Sequence, residues 1–311
     1  MLDDVKRVLA TLLILVGGLG LINHAQAYDL GCREQLRQGQ APRLNSVLGS
    51  NSILQLCKTG FVLGYDALNR RPVWSAEFLD ADRIDAASKL ERKDYFHSEE
   101  QLDPVVRRDL RDFMGDGLDR GHLAPSADMP NAQSQYESFS LSNIVHQNPQ
   151  HNRGIWREVE QLARWQAQVL GGSHVVTGAI YGSHLGVEPP PLSKGLSAPS
   201  FLYKAIYFTE LNLAGVYLSP NDESSRVLVV SLDQLEELFG VQPYPSIDAS
   251  VKSTAYPLIY PEQQEWERYR FDDLDNTVPF RLSLEILFGW VLALITWATS
   301  WVKLLSVGFI A

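Results

Sequence analysis

Gly117-Leu-Asp-Arg-Gly-His-Leu-Ala-Pro-Ser-Ala-Asp-Met129 is the stretch on which the reading of this chain turns. Asp119, Arg120 and His122 lie around Gly121. An acid, a cation and a base are thereby gathered at one turn or strand end. Phosphodiester hydrolysis needs such an inventory: a base to take a proton from water, positive charge for the crowded phosphate, and a metal. A lone histidine is more often a satisfied structural residue. The charged neighbours of His122 reverse that preference.

Further along come Ser138-Phe-Ser-Leu-Ser-Asn-Ile-Val-His-Gln147 and Asn148-Pro-Gln-His-Asn-Arg-Gly-Ile-Trp156. Asn143 and Asn152 carry neutral oxygens suited to a hard Mg²⁺ ion that keeps several of its waters. Glu160 stands about 12 Å beyond Asn152 if one helix joins them. The two would then not ligate one ion directly. Glu160 would instead orient metal-bound water or a neighbouring group, or be a plain surface residue. Asn152 is also a good helix N-cap. Ile155, Val159, Leu162, Ala163 and Val169 recur at helical spacing after it, and Gly171-Gly172 stops the run.

Around this segment the pattern is mostly extended. Strands are expected at 60–65, 72–79, 174–181, 203–208, 214–218 and 226–230. Ser231-Leu-Asp-Gln234 is a capping box opening a helix that ends at Gly240. Residues 28–56 read as polar and mixed, and 83–116 as a charged surface loop with short helical pieces. Strands without strict helix alternation predict an α+β domain with a largely antiparallel sheet.

The formal net charge of −10 excludes a protein that coats nucleic acid by mass electrostatics. It leaves room for an enzyme that grips a few phosphates locally. Lys6 and Arg7, the apolar run 8–22 and Ala25-Gln-Ala27 read as a signal peptide over 1–27, which predicts an exported, periplasmic or extracellular protein. Its two cysteines, Cys32 and Cys57, are then expected to pair. The body would span 28–246, followed by an acidic linker over 247–285. The uncharged run 286–302 reads as a membrane anchor at the short edge of a span. An interfacial helix and a packed core helix are the alternatives.

Asp-Arg-Gly-His, then Ser-Asn-Ile, then Asn-x-Gly-x-Trp-x-x-x-Glu resembles the sugar-non-specific DNA/RNA endonucleases, the family that includes endonuclease G. The likeness runs from about Cys32 to Pro245 and takes in Gly60-Phe-Val-Leu, Trp74-Ser-Ala-Glu77, Thr177-Gly178 and Tyr203-Lys204. It implies the ββα-metal fold and an Mg²⁺- or Mn²⁺-dependent nuclease acting on DNA, RNA or both, and it leaves a homodimer open. It implies His122 as general base and Asn152 as the single direct metal ligand. Asn143 would position His122 or the metal waters, Asp119 and Glu160 would stand in the outer shell, and Arg120 would face the phosphate. Arg92, in Glu91-Arg-Lys-Asp-Tyr-Phe-His97, matches the family's upstream phosphate-binding arginine. Products would carry 5′-phosphate and 3′-hydroxyl ends. Two positions depart from the pattern: His146 and Ala179 stand where the family often has proline. His146 and His151 read as a solvated loop, with a second metal site as the sharper alternative. Rival functions for the same residues are a catalytically silent binding protein on a nuclease scaffold and a phosphodiesterase acting outside nucleic acids.

Overall fold

The computed structural model describes residues 32–44, 53–193, 195–256 and 258, all within the compact unit Met1–Pro261. The expected signal peptide and apolar C-terminal segment lie outside the described residues. Among the described residues no helix is long and apolar enough to cross a membrane.

Alternating apolar residues build the strands. These are β1 (Arg43–Leu44), β2 (Ile53–Cys57), β3 (Val62–Asp66), β4 (Arg71–Leu79), β5 (Asp119–His122), β6 (Ile144–Gln147), β7 (Ser173–Tyr181), β8 (Pro199–Phe208), β9 (Leu213–Pro220), β10 (Leu228–Val230) and β11 (Val241–Gln242). The helices are α1 (Ala81–Ser88), α2 (Ala132–Ser138), α3 (Pro149–Arg153), α4 (Ile155–Val169), α5 (Leu232–Phe239) and α6 (Ala249–Ser253). Seven strands form one antiparallel sheet in the order β10-β9-β8-β7-β4-β3-β2. Its central members are buried on both faces, which is why β8 is apolar almost throughout.

Successive side chains of a strand point to opposite faces, and the core divides accordingly. Val62, Trp74, Ala76, Val176, Tyr203, Ala205, Val216 and Leu218 join Leu232, Leu235 and Phe239 of α5 in one cluster. Leu63 and Tyr65 belong to another, with Phe61, Leu102, Ala124 and Met129. Amphipathic α4 buries Ile155, Trp156, Val159, Leu162 and Ala163, and its Gln166 Nε2 donates to Tyr217 Oη of β9 at 3.2 Å. The capping box at Ser231 forms as expected, and Gly240 ends α5 in the left-handed region at φ 67°.

Three expectations need correction. Residues 53–57, read as part of a polar mixed segment, are strand β2, whose partner β3 supplies the ladder that its own weak pattern does not announce. Residues 247–256 and Leu258 pack on the domain where a linker was expected to start: Ile247, Val251 and Leu258 are buried, and Tyr256 N donates to Ala214 O at 2.8 Å. The helix expected from Asn152 is two helices. Asn148, with Pro149 after it, caps the first through Gln150 N and His151 N, and Gly154 (φ −102°, ψ −112°) breaks the path before the second. Asn152 therefore sits in the last turn of α3 and is not an N-cap.

A short ladder, β1 with β11, joins Arg43 to Gln242 and Leu44 to Val241. Nearby, Cys32 and Cys57 are disulfide-bonded with their Cα atoms 5.8 Å apart. A link closing a loop of this length contributes about 3 kcal/mol by restricting the unfolded chain. Thermal unfolding of the Cys32→Ala/Cys57→Ala variant should show a Tm several degrees lower; an unchanged Tm would mean the bond adds no stability.

Candidate active site

The segment Asp119–His122 becomes β5, paired antiparallel with β6 in the register Asp119↔Gln147, Arg120↔His146, Gly121↔Val145 and His122↔Ile144. Gly121 is required because a Cβ there would overlap the Gln147 side chain. After β6 the chain turns directly into α3. Two strands and a helix thus bring Asp119 and Asn152, far apart in sequence, side by side.

Asp119 accepts three hydrogen bonds: from Asn152 Nδ2 at 2.9 Å, Arg153 Nε at 2.7 Å and Arg153 Nη2 at 2.5 Å. Burial raises its pKa, but the bonds from Arg153 and Asn152 outweigh that and leave it below the usual carboxylate range. The grip has a chemical consequence. Only the amide nitrogen of Asn152 can donate to a carboxylate, so its Oδ1 is left without a protein donor. Asn152 lines an open cleft of about 560 Å³ together with Asp94, Phe96, Asp119 and Arg120. An oxygen presented singly and backed by a carboxylate fits a hydrated Mg²⁺ or Mn²⁺. Among the described residues no cluster of three or more His, Cys, Asp or Glu side chains competes as a metal site.

His122 ends the same strand and is 9% exposed. Phe96 (ring centroids 5.7 Å) and Phe139 (4.9 Å, edge-on) flank its imidazole, and its buried Nε2 has no hydrogen-bond partner. Burial pushes its pKa down to about 3, Arg92 and Arg120 push the same way, and Asp94 opposes them. The imidazole is neutral at pH 7. Arg120 lies over the Phe96 ring, 4.1 Å from its centroid. Arg92 lies 5.3 Å from the Phe139 centroid and its Nε donates to Asp94 at 2.7 Å. The two arginines thus flank the histidine, each seated on an aromatic ring.

Asn143 plays a different part from metal water. Its Nδ2 donates to Ala124 O and Ser138 O, and its Oδ1 accepts from Ala124 N, all at 2.9–3.0 Å. A fully buried amide so occupied clamps the backbone just past His122 and has nothing left for an ion. Glu160 belongs to a charged cluster. Burial raises its pKa to about 7, Lys204, Arg164 and Arg92 hold it down by their positive charge, and Asp128 raises it. The rest of this cluster escaped the sequence reading. Arg164 pairs with Asp128 at 2.5 Å and Arg83 with Glu77 at 3.0 Å, while fully buried Lys204 donates to Thr177 Oγ1 at 2.5 Å. Glu77 and Asp128 sit on segments quoted for resemblance, yet nothing in their spacing announces a buried ion network.

His146 and His151 are neither solvated nor free to bind a second metal. His146 stacks on Phe113 at 4.4 Å, with Nε2 on Asp112 O at 3.0 Å and Nδ1 3.4 Å from Arg108 Nη1. His151 lies between Gln147 Nε2 at 2.7 Å and Ser219 Oγ at 2.9 Å. Both rings are buried with both nitrogens engaged.

The model of the DNA/RNA non-specific endonuclease family matches residues 40–249. The chain belongs to this family. Among relatives of the non-specific endonuclease family, "Nuclease EXOG, mitochondrial" of Homo sapiens is 28% identical over 212 residues, 62% of this chain and 57% of that protein. "Nuclease C1" of Cunninghamella echinulata var. echinulata is 27% identical over 234 residues, 65% of this chain and 90% of that protein. A solved structure titled as the EndoG/EndoGI complex matches with a TM-score of 0.52 and 25% identity, covering 63% of this chain and 88% of that one. The fold is the ββα-metal fold expected from the motifs. The chain spans 57% of the length of the EXOG relative.

The buried imidazole gives a pH signature. Its folded pKa of about 3 lies below the 6.5 of a free histidine. The unfolded chain therefore takes up a proton that the folded site refuses. This contribution to stability is complete above pH 6.5 and is lost as the pH falls toward 3. Imidazole NMR should find His122 neutral from pH 8 down to 5; a resonance titrating near 6.5 would refute the buried, neutral assignment.

Proposed function

We propose that this chain is a metal-dependent, non-specific endonuclease hydrolysing DNA, RNA or both, with His122 as general base and Asn152 as the metal's protein ligand. The observation that carries the reading is the pull of Asp119 on the Asn152 amide, which frees one neutral oxygen in the cleft shared with Arg120. Mg²⁺ or Mn²⁺ on Asn152 Oδ1 would supply Lewis-acid stabilisation of negative charge on the phosphate.

The remaining chemistry is the chain's own. Neutral His122 takes the proton of the attacking water. The water oxygen bonds to phosphorus as the bond from phosphorus to the 3′ oxygen breaks, and the departing 3′ oxygen takes a proton from solvent in the cleft, giving 5′-phosphate and 3′-hydroxyl ends. Arg120 and Arg92 offset charge developing on the phosphate oxygens. Asp119 keeps the Asn152 oxygen in place, Asn143 fixes the backbone behind His122, and Glu160 takes the outer-shell role that the family pattern assigns it, its charge offset by Lys204 and Arg164. None of these groups reads a base by hydrogen bonding, in keeping with cleavage that ignores sequence and sugar. The signal-peptide pattern and the Cys32–Cys57 bond support action outside the cytoplasm.

Plasmid and RNA should be cleaved by the folded protein in Mg²⁺ or Mn²⁺ and spared in EDTA. His122→Ala should lower the rate about 100-fold or more, the scale of a general base, and Asn152→Ala should shift the metal titration to higher concentration. A folded His122→Ala variant cutting at the wild-type rate would remove His122 from the chemistry.

A further inference from the structure

The cleft that holds Asp119, Arg120 and Asn152 has a second, chemically opposite wall. Leu110, Phe113, Met114 and Leu118 line the same 560 Å³ space. Leu110 is 44% exposed and Met114 63%, a large apolar surface to leave in water beside phosphate-binding groups. The reaction derived above gives this wall nothing to do, since a phosphodiester offers only oxygens and a sugar.

The wall is also built rigidly. Phe113 ends a short 3-10 turn, Leu110–Phe113, closed by a capping box from Asp109 to Asp112. Its ring is backed by His146 at 4.4 Å and 12° between planes. His146 is pinned through its nitrogens to Asp112 O and Arg108, and Arg108 Nε in turn donates to Arg70 O. Arg70 Nη2 closes the ring of contacts on Asp112 at 2.9 Å. The residue that departs from the family pattern, His146, is therefore the backing of an aromatic plate.

A fixed apolar plate beside a phosphate site matches a nucleobase that is not paired. In a duplex the bases turn inward and away from such a wall; in a single strand a base can lie flat on it while its own phosphate stays with Arg120 and Asn152. Stacking of this kind is tolerant of sequence because every base has a π face. We propose, resting on the nuclease reading above, that the wall formed by Leu110, Phe113, Met114 and Leu118 packs the unpaired base adjoining the phosphate being cut. A strand that is single, frayed or locally opened is then cut in preference to closed duplex, which is cut where it opens.

The test is a 5′-labelled single-stranded DNA oligonucleotide carrying one abasic residue, cut by the wild-type protein and by Phe113→Ala in Mn²⁺ and resolved phosphate by phosphate. The wild type should show a dip of about fivefold or more at the phosphate flanking the abasic residue, the weak end of one aromatic stack. The dip should vanish in Phe113→Ala. Cleavage at neighbouring phosphates normalises each lane, so partial unfolding of the variant does not imitate the result. A uniform wild-type ladder, or a dip that survives in Phe113→Ala, overturns the base-packing proposal alone. Failure of the wild type to cut the unmodified strand while it cuts plasmid or RNA overturns the base-packing proposal; failure on the unmodified strand, plasmid and RNA alike overturns the nuclease reading itself.

Discussion

Asp119 is the group on which the site depends. Its two oxygens receive three donors from two consecutive residues of α3, so the strand and the helix of the motif are locked by one carboxylate. A charge-assisted, two-pronged contact of this kind fixes angle as well as distance. Without it Asn152 could rotate about its side chain and offer either end of its amide to the cleft. The Arg153 half of the contact is exposed and adds little by itself to stability. Its value lies in holding Asp119 ionised and occupied, with Asn152 beside it.

Around that contact, charge and grease alternate in layers. Arg120 and Arg92 rest on phenylalanines, the phenylalanines enclose His122, and elsewhere in the domain Glu77 pairs with Arg83 and Asp128 with Arg164. Buried ion networks are costly unless every member is partnered. Here Arg83 donates to Glu77, Gln35 and the Asp128 backbone, and Arg164 to Asp128, while the second oxygen of Glu77 is buried without a partner.

Much of this was legible in one dimension because its causes are local. The apolar, β-branched run over 174–181 follows from a strand covered on both faces, and Ser231 with Gln234 follows from unpaired amides at a helix start. The Asp-Arg-Gly-His run was legible as a motif, although the crowding by Gln147 that demands its glycine comes from the neighbouring strand. What stayed hidden has causes distant in sequence. β2 is a strand because β3 lies beside it. Asn152 looked like a cap because Asn148, the true cap, and the break at Gly154 are read only once the backbone path is known. His146 and His151 looked soluble because a polar ring beside prolines and asparagines usually is. Their burial depends on Phe113, Trp156 and Ser219, none of which signals its neighbour in the chain.

The ladder between β1 and β11 has a bearing on how the body is made. It ties residues 43–44 to residues 241–242, and Tyr256 then anchors on β9. A chain emerging amino end first has its earliest strand waiting for its last, so closure is delayed until almost the whole domain has been released. Contacts this distant in sequence slow the search for the native state. The cleft itself is lined by residues 94–152 and can assemble before that closure, so it is the closing of the domain, not the shaping of the cleft, that waits for the last strand.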